Sequence, residues 1–186
     1  MVEDAERDEA AGAIVSVAST KHWAFMPVAA LVAFIDQVGK WHAMRSLDVG
    51  ERVAWLGDLL ALAHLPAASG ALGLFSGWPP SAQLGGFAVL SLIAVTIIVS
   101  FYRGLAPGEH GSAAALGAIL GGIASNGLDR FRHGAGLDFL HLGSASSESL
   151  PDFNFADVAI VMGVVTLIVE LLATEMAARA SERPGR

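Results

Sequence analysis

The chain has 186 residues, 54% of them hydrophobic, with a formal charge of −7 and no cysteine. Its mean hydropathy of +0.57 is too high for an ordinary soluble domain and points to the membrane. The negative charge argues against nucleic acid as a partner. The missing cysteine excludes disulfides, thiolate metal sites and a cysteine nucleophile.

The opening MVEDAERDEA is acidic, unlike the basic start of a signal peptide. We read residues 1–21 as an acidic tail and expect the first membrane helix to carry the targeting information. The first apolar segment spans 23–39, and Trp41 follows Trp23 by 18 positions, roughly 27 Å of helix and close to one bilayer core. Tryptophans at that separation suit the two interfaces. Residues 40–80 contain Asp58, His64, Pro66 and several glycines. They are expected to form a structured, interfacial element that does not span. The stretch 84–102 carries no charge, ends at Tyr102 and is the clearest span. Segment 112–128 is rich in small residues, and Gly117 with Gly121 forms a GxxxG, which lets helices approach closely in lipid. Residues 129–152 read as a long polar loop. The last span covers 155–173 within a membrane domain of 22–176, followed by a basic tail, 177–186.

Four spans put both termini on one side, with Arg7, Lys21, Arg103, Arg179, Arg183 and Arg186. Lys40, Arg45, Arg52, Arg130 and Arg132 lie on the other. The basic tail favours cytoplasmic termini, so loops 40–83 and 129–154 share the outer face.

Polar residues gather at that face. The third span ends in SNGLDR, 125–130. GAGLDFLHL, 134–142, carries Asp138, and FNFAD, 153–157, opens the fourth span with Asp157. A carboxylate at a membrane boundary is costly unless paired or neutralised, and by default it suggests a site. Each residue also has a plain structural use. Asn154 and Asp157 have capping-box spacing, Asp129 and Arg130 suit a solvated ion pair, and Asp138 suits a turn. Asp129 is expected to hold Arg130 and the end of the third span. Two close carboxylates ionise unequally, so one can activate water while the other, protonated, polarises a carbonyl. The helix macrodipole favours Asp157 as the ionised member, and the apolar run around Asp138 favours the protonated one. Other chemistries are poorly supported. His22, His42, His64, His110, His133 and His141 form no tight ligand spacing, and there is no GxSxG elbow.

SNGLDRFRHGAGLDF followed by FNFAD resembles the signature of the lipoprotein signal peptidase, or signal peptidase II, family: GNxxDR, GxVVDF, then FNxAD. DQVGK at 36–40 is similar to that family's DQxxK. The resemblance covers roughly residues 23–175. It implies an all-α bacterial inner-membrane protein of four transmembrane helices with a small β-containing extracytoplasmic element. It also implies an aspartic endopeptidase that removes signal peptides from diacylglyceryl-modified prolipoproteins. By motif position, the catalytic residues fall on Asp138 and Asp157. Asn126, Asp129, Arg130, Asn154, Asp36 and Lys40 fall on site-supporting positions. Asp36 and Lys40 also make a helical i, i+4 pair. The family's NxGxAF motif, which faces substrate, falls on Ala68 and Gly70, with Ala68 in place of the Asn and Gly73 in place of the Phe. Ser125 replaces the Gly of GNxxDR, and Gly136 replaces the first Val of GxVVDF. No metal or organic cofactor is implied. The implied partners are lipidated prolipoprotein signal peptides and membrane lipid. Two other readings stay open: a catalytically weak paralogue that binds such precursors, and a small transporter or channel subunit using Asp36, Asp129 and Asp157 as a cation path.

Overall fold

Lipid offers a backbone no water to bond, so apolar segments satisfy their amides internally as helices. The computed structural model describes residues 2–67, 77–147 and 150–181, with side chains from residue 21 onward. It contains α1 (Val2–Ser46), β1 (Arg52–Leu56), β2 (Leu60–Ala67), α2 (Pro80–Gly104), α3 (His110–His133), β3 (Gly136–Leu142), β4 (Asp152–Phe153) and α4 (Phe155–Ser181). Four helical segments are long and apolar enough to cross a membrane: Lys21–Ser46, Pro80–Gly104, His110–His133 and Phe155–Ser181. The first begins within α1, so the tail read at 1–21 is helical from Val2. Trp23 and Trp41 are both exposed, as interfacial anchors should be.

α3 is the central helix. A Cβ added at Gly117 would strike the Phe25 carbonyl oxygen, and one at Gly121 the Ala29 carbonyl oxygen. The GxxxG therefore brings α3 onto the backbone of α1, as the small-residue pattern predicts. On another side, Gly122 meets Ala156 and Ile160 of α4. α2 is far barer, and only its Ile98 is buried. Its two ends are fastened. Arg130 of α3 lies over the Phe87 ring at 3.8 Å. At the other end, Lys21 Nζ donates to the Tyr102 and Leu105 carbonyls at 3.2 and 3.0 Å, neutralising the free carbonyls of a helix C-terminus. Glu170 of α4 accepts a hydrogen bond from Ser112 at the start of α3, also at that end.

The sheet bears out one expectation and corrects another. The β structure expected within 40–80 is there as the β1–β2 hairpin. The polar loop expected over 129–152 is instead largely ordered: α3 continues to His133, and 136–142 and 152–153 are strands. All four strands form one antiparallel sheet in the order β1-β2-β3-β4, although α2 and α3 intervene between β2 and β3. Gly134, with φ of 76°, ends α3 in the left-handed conformation that a side chain disfavours, and turns the chain back toward β2. The sheet seats on α1, where Phe139 of β3 occupies the space a Cβ on Gly39 would need.

Candidate active site

The site forms where α1, α3, α4 and β3 meet. Asp36 and Lys40 lie one turn apart on α1 and are 0% and 1% exposed. Lys40 Nζ contacts Asp36 Oδ2 at 2.6 Å, forms an ion pair with Asp129, and donates to Asn126 Oδ1 at 2.9 Å. Such an ammonium has every donor used, which a buried charge requires. Asp129 is thus held by Lys40 and by Gln37 Nε2 at 2.7 Å. This overturns the expected Asp129–Arg130 pair. Consecutive helical residues do not face each other, and Arg130 instead donates to the Asn126 carbonyl at 3.0 Å and covers Phe87. Sequence reasoning missed Ser125 and Gln37. Ser125 Oγ donates to Asp36 Oδ2 at 2.7 Å and accepts from Gln37 Nε2 at 3.0 Å. The serine that departs from GNxxDR therefore supplies a hydroxyl to this network.

The network continues to Asp157. Asn126 Nδ2 donates to Asp157 Oδ1 at 2.9 Å, and the Asn154 amide donates to Asp157 Oδ2 at 3.2 Å. The Asp157 amide donates in return to Asn154 Oδ1 at 2.9 Å. This is the expected capping box, and a further α4 amide, that of Ala156, donates to Asp36 Oδ1 at 2.9 Å. Both Asp157 oxygens receive N–H donors, an arrangement suited to a carboxylate.

Asn154 also faces the other way. Its Nδ2 donates to Asp138 Oδ1 at 2.8 Å and to the Leu137 carbonyl at 3.3 Å. One residue therefore contacts both aspartates, and capping and site-building are not competing roles. Burial, then the Asp157 charge, pushes the Asp138 carboxyl up to about 6. The Asn154 hydrogen bond and Lys40 pull the other way, and Asp152 adds a smaller upward push. Two carboxyl groups in one environment, one of them inclined to keep its proton, are suited to acid–base work. Asp36, Asp129 and Asp157 belong to one bonded network instead of being spaced through the bundle, which gives no support to a cation path. Among the described residues no three His, Asp or Glu side chains are grouped to hold a metal ion. Ala68 and Gly70 lie outside the described residues.

Fold and site together define a polytopic membrane protein with a polar centre built between helices and a small sheet. The family described as Signal peptidase (SPase) II matches residues 28–173. A lipoprotein signal peptidase of Geobacillus kaustophilus is 32% identical over 148 residues, 80% of this chain and 92% of that protein. One of Moorella thermoacetica is also 32% identical over 148 residues, with the same shares covered. A bacterial membrane enzyme solved by the in meso method superposes with a TM-score of 0.70 at 22% identity, covering 86% of this chain and 92% of that one. This last likeness concerns the fold. The chain belongs to the signal peptidase II family and is a membrane protease.

Proposed function

We propose that the chain is an aspartic endopeptidase that removes signal peptides from diacylglyceryl-modified prolipoproteins, with Asp138 and Asp157 as its catalytic pair. The observation that carries the reading is that Asn154 donates to both carboxyl groups, through its side-chain Nδ2 to Asp138 and through its backbone amide to Asp157. Asp157 takes a proton from a water molecule, and the water oxygen bonds to the scissile carbonyl carbon. Asp138, protonated, hydrogen-bonds the carbonyl oxygen as negative charge develops there. The tetrahedral intermediate then collapses, the C–N bond breaks, and the Asp138 proton goes to the leaving amine. Asn126 and Asn154 fix the Asp157 carboxylate, while Lys40, Asp36 and Asp129 hold α1, α3 and α4 in register. The signal helix occupies the bilayer, and the diacylglyceryl group lies in its outer leaflet. By motif position Ala68 and Gly70 match the family's substrate-facing NxGxAF motif, and Ala68→Asn is expected to improve turnover.

Membership in a peptidase family and clustering of the family's motif residues support this function. The protein resides in the bacterial inner membrane with cytoplasmic termini and its site at the outer face. Reporter fusions after Arg103 and after Ser146 should report opposite sides, and identical answers would remove that topology. The decisive assay offers the purified protein a diacylglyceryl-modified precursor in detergent. Cleavage before the lipidated cysteine is expected. Binding of precursor without cleavage would instead support the inactive-paralogue reading.

A further inference from the structure

The sheet carries a second buried polar group that the carboxylate network does not use. His141 on β3 is 0% exposed. Its Nδ1–H donates to Asp152 Oδ1 on β4 at 2.7 Å, and the two residues are register partners. From β1, Arg52 Nη2 reaches Asp152 Oδ1 and Oδ2 at 3.3 and 3.1 Å, and Nη1 donates to the Ser147 carbonyl at 3.3 Å. β1 and β4 are the two edges of the sheet, so the guanidinium links strands that do not pair. The strand between β1 and β3 makes room for it. Ala63 pairs with Arg52, Ala61 pairs with His141, and both alanines are 0% exposed. β4 is only two residues long, so few ladder bonds hold it. Asn154, which touches both aspartates, follows directly after it.

We propose that Arg52, Asp152 and His141 form a strut that fixes β4 and thereby aims Asn154 at Asp138 and Asp157, making all three positioning residues coupled to the β1–β2 hairpin. The catalytic consequence rests on the peptidase reading above, but the geometric claim does not. Asp152 also acts on Asp138 through its charge. The other charged groups facing Asp138 are Asp157 on α4, Lys40 on α1 and Arg130 on α3. Asp36 and Asp129 stand behind Lys40.

The experiment follows the Asp138 carboxyl by 13C NMR of aspartate-labelled full-length protein in detergent, beside cleavage of a lipidated precursor. Asp152→Asn removes a negative charge and should lower the Asp138 pKa. Arg52→Gln leaves the Asp152 charge uncompensated and should raise it. Both should lower kcat about tenfold by misplacing Asn154, with KM little changed. His141→Asn keeps a donor near Nδ1 and should retain activity that His141→Leu loses. Shifts of opposite sign cannot arise from general loosening of the fold. If both charge variants keep the wild-type titration and kcat, the strut is overturned, even if their melting temperatures fall. If the variants also displace the Asn154 side-chain amide signal but the wild type cleaves nothing, the strut stands and the peptidase reading falls; opposite titration shifts with Asn154 and kcat unchanged are charge coupling alone and overturn the strut.

Discussion

α2 and α3 have 25 and 24 residues, and each is apolar enough to cross a membrane, yet they do opposite jobs. α2 is built from Leu, Ile, Val and Phe and leaves most of them exposed. α3 is built from Gly, Ala and Ser, and it buries ten residues between Ala113 and Asp129. The more hydrophobic helix is the peripheral one. Inside a bilayer large apolar side chains gain nothing by leaving lipid, whereas small ones let backbones and polar groups meet. The polar centre therefore sits on the helix with the weaker hydropathy signal.

That contrast can be broken most sharply at the α3-facing centre. Asp138→Asn or Asp157→Asn should cut precursor cleavage by about 10²–10⁴-fold while the protein stays folded and membrane-inserted. Asparagine preserves shape and the helix cap but cannot carry the proton. Near wild-type cleavage by both variants would remove the pair from the mechanism. Next in size is Lys40→Met, which leaves Asp36 and Asp129 buried without their cation. It should cost about 3–5 kcal/mol, read as lost thermal stability in detergent. A variant that melts like the wild type would show that the ion cluster does not hold the three helices together.

The pH dependence is a smaller effect. Asp138 keeps its proton up to about 6 and loses it above. With Asp138 as the proposed acid, kcat/KM of the free enzyme should decline on the alkaline side of that value, by about tenfold per pH unit. A profile that rises through this range would assign the acid role elsewhere. The smallest effect belongs to α2. Leu92→Ala on its exposed surface should change stability by no more than about 0.5 kcal/mol. A large loss in the same melting assay would mean that α2 packs against a partner and is not a lipid-facing wall.

The spans and the GxxxG contact were legible because lipid imposes long apolar runs and close packing needs small residues. The residues of the network were legible through motif resemblance. Their pairings were not. Asp129 adjoins Arg130 in sequence, but its direct contacts, Lys40 and Gln37, lie on a different span. Gln37 and Ser125 carry no distinctive pattern, since a buried hydroxyl or amide is recognised only by what surrounds it. β3 was hidden because Asp138 and His141 interrupt its apolar run, and β4 because two residues give no periodicity. The Arg52–Asp152–His141 group depends on strand register across a sheet whose halves are separated by two membrane helices.

The bond from the Ala156 amide to Asp36 has a consequence for biogenesis. α1 is made before α3 and α4, so it enters the bilayer carrying a carboxylate whose partners on those helices have not yet been synthesised. Among the described residues bonded to Asp36, Lys40, one turn away on the same helix, is the one already present. The Asp36–Lys40 pair is therefore expected to act as an escort during insertion before it becomes part of the finished centre. The proposed reaction centre needs Asp157 on α4, so a chain that stops after α3 is expected to be inert. Insertion of α1 alone should fall with Lys40→Gln, and an unchanged insertion efficiency would rule out the escort.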